Sequence, residues 1–258
     1  INGTLNNTLN CSIDIYVDLP AVQKGSHMSR NVEVINEIVD ESVKKPIAAI
    51  ENVAADICRK LLVHHEYAEN AEVGIEAEYF RATKTPLGRD TFESYTLLAG
   101  GHIERNGILT KMVGVEVIGM TACPCGQQTV TEMLDIHSEF PVMTHNQRNV
   151  CTLMVYMPEN VTIEANDLID IVEDAFSSPT FELLKRPDEG QVIINAHSKT
   201  RFVEDVVRAV LSNFVAKYTD LPDEVFVDVI SDSEESIHKH DAYAEREATL
   251  GDLRAENQ

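Results

Sequence analysis

Residues 95–120 read YTLLAGGHIERNGILTKMVGVEVIGM, and they are the clearest indication of the fold class. Residues 95–99 and 109–120 are rich in apolar and β-branched side chains, as strands that pack on a core are. Between them, Asn106-Gly107 is typical of a hairpin turn, because both residues tolerate the positive φ that such a turn needs. The stretch therefore predicts two antiparallel strands of a sheet.

Outward from this hairpin, alternating apolar residues indicate more strands, and apolar spacings of three and four indicate helices. We predict further strands at residues 13–17, 73–79, 150–157 and 225–229. We predict helices from about residue 31 and at residues 47–61, 168–176, 203–214 and 242–253, with Pro46 in a helix first turn. Loops are expected at residues 81–94, at residues 126–149 and around residues 185–189.

The order of these elements predicts an α+β protein in two halves that meet near residue 120. We expect two domains, residues 1–120 and 121–258, with antiparallel sheets and helices on one face. A short echo supports this weakly, because residues 26–32 and 144–150 both read Ser/Thr-His-x-x-Arg-Asn-Val. Such sheets leave open edges, which pairing between subunits would cover.

The charge of the chain argues against two classes of partner. The chain has 43 acidic and 21 basic residues, a formal net charge of −22 at pH 7. Nucleic acid and anionic membrane surfaces would repel it. No apolar run approaches the roughly 20 residues that span a bilayer. We therefore expect neither partner; the acidic surplus is an ordinary solvated surface or an adaptation to a salt-rich cytoplasm.

The cysteine content favours a reducing compartment. Five cysteines are an odd number, and Ile1-Asn2-Gly3-Thr4 shows no secretory signal, so we expect a cytoplasmic protein without a disulfide framework. Three of the five lie among apolar residues and are expected to be small buried side chains. These are Cys11, Cys58 and Cys151.

Potential metal ligands occur in four polar clusters. Thiolate, imidazole and carboxylate groups bind zinc and ferrous iron. These groups are spread over more than a hundred residues, whereas a structural zinc site has closely paired ligands. The spacing therefore favours a catalytic site with an open coordination position. The clusters are Cys123-Pro124-Cys125, Thr144-His145-Asn146-Gln147-Arg148, Lys185-Arg186-Pro187-Asp188-Glu189 and Ser236-Ile237-His238-Lys239-His240-Asp241.

Each cluster alone also has a plainer interpretation. The Cys-Pro-Cys segment is too tight for both sulfurs to bind one ion easily, and it is equally typical of a buried turn or a redox pair. His145 in a polar loop is also typical of a surface histidine. His238 and His240 on an extended segment point to the same side, which suits a ligand plus a proton carrier. In a polar tail, such a pair often has no function.

Charged residues beside these clusters suit an anionic, purine-like substrate. Arg148 carries the planar fork that binds phosphate well. Lys185-Arg186 is a cationic pair in a chain poor in Lys and Arg, although a surface salt-bridge cluster is the simpler interpretation. Glu204 opens a predicted helix, where the dipole stabilises it. A glutamate there can also accept two hydrogen bonds from the amidine-like edge of a purine.

Six motifs in this order resemble the type IB GTP cyclohydrolases, and most closely their archaeal MptA-type members. Each motif is modest alone, but the six together are specific and extend from about residue 12 to 245. They are GSHMSR (residues 25–30), CPC (123–125), HNQR (145–148), LKRPDE (184–189), FVED (202–205) and ESIHKHDA (235–242).

The resemblance implies a fold, an assembly and a metal. The fold is the tunnelling fold, with two such units in tandem in each chain. The assembly is a homo-oligomer, a dimer or tetramer, with sites at the subunit interfaces. The metal is Fe²⁺ in the archaeal branch, with Zn²⁺ and Mn²⁺ as alternatives.

The resemblance also implies roles for single residues. Three look like metal ligands: Cys123, Glu189 and His238. Three look catalytic: His145 as an acid/base or nearby ligand, His240 as a second catalytic histidine, and Cys125 as a residue that contacts the ligands. Five are expected to bind substrate: Glu204 the guanine, and Arg148, Lys185 and Arg186 the phosphates, with Arg30 behind them.

The implied activity is a metal-dependent GTP cyclohydrolase. It would release formate from GTP and give a 7,8-dihydroneopterin phosphate, the 2′,3′-cyclic phosphate in MptA-type members, as the first step of methanopterin or folate biosynthesis. Two alternatives belong to other classes. One is a tunnelling-fold oxidoreductase like the nitrile reductases, with a cysteine nucleophile and NADPH. The other is a non-catalytic protein with a structural metal site.

Overall fold

The structure, a computed structural model, describes residues 9–44 and 49–256. Within these ranges, eight strands form a sheet in the order β1-β2-β3-β4-β5-β7-β8, and β6 pairs with β4. The pairs β1–β2, β4–β6 and β7–β8 are antiparallel. The strands are β1 (Cys11–Val17), β2 (Asn70–Lys84), β3 (Asp90–Glu104), β4 (Leu109–Ala122), β5 (Asn146–Pro158), β6 (Ser178–Pro179), β7 (Phe226–Ser233) and β8 (Ala242–Thr249).

The helices lie between and after these strands, so the predicted α+β class is confirmed. None of them, in the ranges that the structure describes, combines the length and apolar character that crossing a membrane requires. They are α1 (Met28–Lys44), α2 (Ile50–His64), α3 (Pro124–Leu134), α4 (Ala165–Glu173), α5 (Arg186–Ser198), α6 (Val203–Lys217) and α7 (Leu250–Glu256). The predicted helix start at Pro46 lies outside the described residues.

The chain forms two compact units, and each takes residues from separate parts of the sequence. The first takes its described residues from Ile1–Tyr79, Thr96–Val113 and Tyr156–Thr162. The second takes them from Phe80–Tyr95, Gly114–Val155 and Ile163–Gln258. The domain boundary near residue 120 and the tandem arrangement stay predictions.

The core of the first unit is formed by α1 and α2 against strands of the sheet. Ile57 and Leu61 lie four residues apart in α2 and are fully buried, as is Val34 of α1. Val73 and Ile75 alternate on the buried face of β2. The apolar faces of the two helices and of the strand therefore pack together in one core layer.

The core of the second unit is built around two large aromatic side chains. Phe176 and Phe214 are fully buried, together with Leu153 of β5 and Leu168 of α4. Phe214 contacts Tyr218 with a ring-centroid distance of 4.9 Å. The apolar stripe predicted for residues 203–214 is thus the buried face of α6.

The predicted hairpin is present, with longer strands than the sequence indicated. β3 ends at Glu104 and β4 begins at Leu109, and the Gly107 N–H donates to the Glu104 carbonyl oxygen at 2.9 Å. Two of the three cysteine predictions also hold: Cys58 and Cys151 are buried, and burial raises the pKa of each thiol to about 12. The prediction for Cys11 is wrong, because it begins the edge strand β1 and is exposed.

The loop predicted at residues 81–94 is mostly wrong. β2 continues to Lys84 and β3 begins at Asp90, so the turn itself is short. It is closed by hydrogen bonds from Thr85 N to Arg89 O and from Gly88 N to Thr85 O, both 2.8 Å. Gly88 has φ 83°, which glycine adopts without strain. The prediction of a turn is correct for the residues between the two strands, but the residues on either side of it belong to β2 and β3.

The helix predicted at residues 242–253 is also wrong over most of its length. Residues 242–249 form β8, which pairs with β7 in a register that places Ala248 opposite Val227. Only α7, from Leu250, is helical. Alanine and glutamate favour helices by a few tenths of a kcal/mol each. A neighbouring strand edge, which supplies a hydrogen-bond partner for each residue, outweighs that preference.

Two helices occur where the sequence indicated loops, and both begin at a chemical motif. Pro124 lies in the first turn of α3 and Pro187 in the first turn of α5. Proline is favoured there because its missing N–H would have no partner inside the helix. Cys123 and Lys185 are the residues that precede these two helices.

Candidate active site

Cys123 caps the N-terminus of α3. Its backbone is extended, and its Sγ accepts a hydrogen bond from the Gly126 N–H at 3.4 Å. The side chain is partly buried, whereas Cys125, in the first helical turn, is exposed. The two sulfurs of the Cys-Pro-Cys segment therefore have different surroundings, and Cys123 is the one held by the main chain.

His145 lies directly before β5 and is tied to this cap. The Cys123 N–H donates to the His145 carbonyl oxygen at 3.1 Å, and the Thr144 hydroxyl donates to the Cys123 carbonyl oxygen at 2.9 Å. The His145 Nδ1 lies 3.0 Å from Gln147 Oε1, an acceptor, so Nδ1 is the donor, and in the neutral ring Nε2 is the nitrogen with the free lone pair. A histidine oriented in this way is typical of metal ligands and general bases.

Gly126 allows the two segments to approach each other. A Cβ at this position would lie 2.4 Å from Thr144 Oγ1 and 3.2 Å from His145 Cδ2. The same Cβ would be 3.7 Å from His145 Nε2. The Cys123 sulfur and the free nitrogen of His145 are thus both next to one glycine, in the first turn of α3.

The segment between β7 and β8 adds two more imidazoles. The His238 ring is perpendicular to that of His145, at a centroid distance of 6.4 Å. The His240 ring stacks on His238 at 5.2 Å and 17°. The Glu234 N–H donates to the Arg148 carbonyl oxygen at 2.9 Å, which fixes the start of this segment on β5. Three imidazoles and one thiol therefore come together at this end of the sheet.

Glu189 is the predicted ligand that the chain does not bring to this cluster. It is exposed in the first turn of α5, whereas His197, in the last turn, contacts Thr144. Eight residues of helix separate the two, which is about 12 Å along the axis. Among the described residues, no three Cys, His, Asp or Glu side chains are close enough to hold a metal ion.

The neighbour of Glu189 has a structural role at the same helix end. Asp188 is fully buried and accepts hydrogen bonds from the Thr85 hydroxyl at 2.6 Å and from Arg89 Nε at 3.2 Å. The Thr85 hydrogen bond lowers the pKa of the Asp188 carboxyl. Lys185 and Arg186 are exposed beside it. The first turn of α5 is therefore fixed to the β2–β3 turn, with its charged side chains in solvent.

Glu204 is exposed in the first turn of α6, and the segment that leads into this helix contacts the residue before the cap of α3. The connection is made by Arg201, whose N–H donates to the carbonyl oxygen of Ala122 at 3.0 Å. Ala122 is the residue before Cys123. Arg201 was not predicted from the sequence; its Nε is buried and has no hydrogen-bond partner among the residues that the structure describes. A buried Nε–H in this position is available to a bound acceptor.

The remaining predicted cations have separate environments. Arg148 is exposed on β5, one residue from Gln147. In the first unit, Arg30 is partly buried in α1, and its Nη1 donates to the His64 carbonyl oxygen at 2.7 Å, at the end of α2. Arg30 thus has a contact inside its own unit, and part of its guanidinium remains for other partners.

The donor types at this end of the sheet suit a divalent transition metal, although no three of them in the described part of the chain lie close enough to hold one. A partly buried thiol and imidazole nitrogens are the ligands that Zn²⁺ and Fe²⁺ prefer. Gln147 orients His145 from behind, as residues around metal sites commonly do. Because Gly126 has no Cβ, no side-chain atom of that residue lies against Thr144 and His145. Cys123 and His238 are the two predicted ligands that belong to this cluster, and the His145 ring lies beside that of His238.

Comparison with solved structures identifies the fold. A uricase from Bacillus fastidious matches with a TM-score of 0.57 at 10% identity, covering 96% of this chain and 84% of that chain. A uricase from Arthrobacter globiformis matches with a TM-score of 0.56 at 7% identity, covering 93% and 85%. At such low identity the likeness concerns the fold alone, which is of the tunnelling type.

Sequence comparison identifies the family. GTP cyclohydrolase MptA 1 of Methanocella arvoryzae is 40% identical over 95% of this chain and 83% of its own length. GTP cyclohydrolase MptA of Methanosphaera stadtmanae is 42% identical over 95% and 85%. The family described as type I GTP cyclohydrolase folE2 matches residues 2–244. The chain therefore belongs to the type I GTP cyclohydrolase family of the folE2 kind.

Proposed function

We propose that this protein is a GTP cyclohydrolase that opens the imidazole ring of GTP, releases formate and supplies a dihydroneopterin phosphate for pterin biosynthesis. Family membership gives the reaction class. The observation that carries the assignment within the chain is the meeting of Cys123 and His145 around Gly126, with His238 and His240 beside them.

The proposed cofactor is Fe²⁺, with Zn²⁺ and Mn²⁺ as alternatives. When bound, such an ion supplies Lewis-acid chemistry that favours attack of water on an electron-poor carbon. Cys123 and His238 would hold it, with Glu189 as the third ligand. His145 moves the proton between water and the guanine N7 through its free Nε2, and His240 is a second proton carrier.

The substrate contacts follow from the position of the charged residues. Glu204 accepts the amidine N–H groups of guanine and so distinguishes guanine from adenine. The triphosphate is contacted by exposed cations, which can form charge-assisted hydrogen bonds. These are Arg148, Lys185 and Arg186. Arg30 stays a sequence-based prediction as a further substrate-binding residue. The proposed product is the 2′,3′-cyclic phosphate, formed in the cytoplasm.

The proposed assembly is a homodimer or homotetramer with its sites at subunit interfaces. The support comes from Glu189, which lies at the far end of α5 from the Cys123 cap of the same chain. A second copy can present its own Glu189 to this cap. Closed symmetry would then complete every site in the same way.

The test is anaerobic incubation of the purified protein with Fe²⁺ and GTP. Formate is measured directly, and the pterin is detected by fluorescence after oxidation. We expect both in equal amounts, with no consumption of NADPH. Alkaline phosphatase removes the phosphates of a triphosphate product directly, but it removes a cyclic phosphate only after acid has opened the ring. Treatment with the phosphatase before and after acid therefore distinguishes the two products. Metal-bound protein that gives no formate would support a structural metal site instead.

A further inference from the structure

His197 has two hydrogen bonds that the proposed chemistry does not use. It lies in the last turn of α5 and is 9% exposed. Its Nδ1 is 2.8 Å from the Ile193 carbonyl oxygen, one helical turn earlier. Its Nε2 is 3.2 Å from the Thr144 carbonyl oxygen. Carbonyl oxygens only accept, so the ring is the donor wherever its nitrogen carries a proton: the neutral ring donates in one of the two contacts, and the protonated ring in both.

These two contacts differ in what they hold. The Nδ1 contact stays within α5 and fixes the ring on its own helix. The Nε2 contact connects α5 to Thr144, the residue before His145. Thr144 is partly buried, so its carbonyl oxygen has limited access to water that could replace a lost donor. The main chain that leads into His145 is therefore strongly coupled to the position of the His197 ring.

Gln127 reinforces the same junction from α3. Its Nε2 donates to the Val142 carbonyl oxygen at 2.9 Å and to the His197 carbonyl oxygen at 2.8 Å. Both amide hydrogens are thus used, and both partners belong to segments that His197 joins. Residues 142–144 are consequently held by one side chain from α3 and one from α5.

We propose that His197 is a positioning residue of the active site. Through the contact of its Nε2 with the Thr144 carbonyl oxygen, it fixes the main chain directly before His145 and keeps Nε2 of His145 directed at the first turn of α3. It touches neither substrate nor metal in this role. The kinetic part of the inference rests on the proposed function, whereas the structural part does not.

Two amide variants separate the two contacts of the ring. The side-chain nitrogen of asparagine takes the place of Nδ1, so His197→Asn keeps the donor to Ile193 and loses the donor to Thr144. The nitrogen of glutamine takes the place of Nε2, so His197→Gln keeps the donor to Thr144. The two variants differ by one methylene, and both retain a polar side chain that suits the helix end.

We expect His197→Asn to lower kcat about 10- to 100-fold with little change in the KM for GTP, because misplacement of a catalytic group affects turnover rather than binding. His197→Gln should keep most of the turnover. A ¹⁵N spectrum of the histidine rings, with His145 assigned from His145→Asn, reports position directly. The His145 signals should move or broaden in His197→Asn and stay close to wild type in His197→Gln.

The proposal is overturned if the His145 signals and kcat of His197→Asn match those of the wild type. It is also overturned if the two variants change equally, because then only the helix end is affected. A wild-type protein without GTP turnover would contradict the proposed function. The ring spectra would still decide the role of His197.

Discussion

The main-chain N–H of Cys123 donates to the carbonyl oxygen of His145 at 3.1 Å, so the cap of α3 and the start of β5 share a backbone hydrogen bond. The Thr144 hydroxyl returns a second bond to Cys123. A thiol and an imidazole are thus brought together by main chain rather than by flexible side chains. Sites fixed in this way hold reacting groups accurately.

Gly126→Ala tests how closely this junction is packed. The added methyl would lie 2.4 Å from Thr144 Oγ1 and 3.2 Å from His145 Cδ2, so the Thr144 side chain, the His145 ring or α3 must move. We expect a loss of about 1–3 kcal/mol in the free energy of unfolding from overpacking and a fall of roughly 100-fold in kcat. Urea unfolding and steady-state formate release measure the two effects.

The control for this variant is Gly126→Ala combined with Thr144→Ala. The second change removes the oxygen that the new methyl would meet, and it should restore part of the stability that Gly126→Ala loses. If the double variant is as unstable as the sum of the two single ones, the close approach at Thr144 is not the cause.

The sequence predicts the parts of the fold that local chemistry determines. Asn106-Gly107 closes a hairpin, and the stripe that ends at Phe214 is the buried face of α6. The helix prediction for residues 242–249 is wrong because pairing with β7 outweighs their helix-favouring composition. The strand order of the sheet depends on contacts between distant residues, which local patterns do not contain.

The candidate site shows the same division. Cys123, His145, His238 and His240 are motif residues, and the structure brings them together. His197 and Arg201 were missed because their roles depend on partners far away in the sequence. The proline after Cys123 was a usable signal for the start of α3. The helix itself was not predicted, because its residues are polar and show no apolar stripe.

Cys123→Ser and Cys125→Ser should separate the two sulfurs. We expect Cys123→Ser to lose most of its bound metal, because oxygen is a poorer partner than thiolate for Fe²⁺ and Zn²⁺ in such a site. Cys125→Ser should keep its metal and lose only part of its turnover. Metal content per chain after gel filtration decides this. Equal metal in both variants would remove Cys123 from the ligand set.

Glu204→Gln should weaken the binding of GTP. A buried hydrogen bond to a charged group contributes about 1.5–3 kcal/mol, which is roughly 10- to 100-fold in KM. Asp205→Ala is the matched control, because Asp205 accepts the Phe202 N–H at 3.0 Å as part of the helix cap. It should cost about 0.5–2 kcal/mol of stability without changing KM. An unchanged KM in Glu204→Gln would contradict the anchor role.

Glu173 should make stability depend on pH in the second unit. Burial raises the pKa of its carboxyl, against the opposing effect of the hydrogen bond from Tyr95 and the charge of Arg81. The folded state therefore favours the neutral form, and this contribution to stability falls as pH rises above about 4.3, the ordinary value. Glu173→Gln cannot ionise, so its free energy of unfolding should increase relative to that of the wild type as the pH rises from 4 to 7. Urea unfolding that shows a constant difference over this range would contradict the assignment.

Mixing two inactive variants tests whether a site is shared between subunits. Cys123→Ser lacks the proposed thiolate ligand, and Glu189→Gln lacks the carboxylate. Unfolding and refolding the two in equal amounts should form mixed oligomers, in which roughly a quarter of the sites combine an intact Cys123 with an intact Glu189. Formate release should return to that fraction of wild type.

The same mixture also tests the alternative that each chain completes its own site. In that case every chain carries one defect, and mixing would restore no activity. A double variant with both changes, mixed with wild type, is the control for assembly, because it shows that the exchange of subunits occurs. Light scattering after gel filtration gives the size of the oligomer. A monomer that is fully active would contradict a shared site, because Glu189 would then have to reach the Cys123 cap within one chain, across the length of α5.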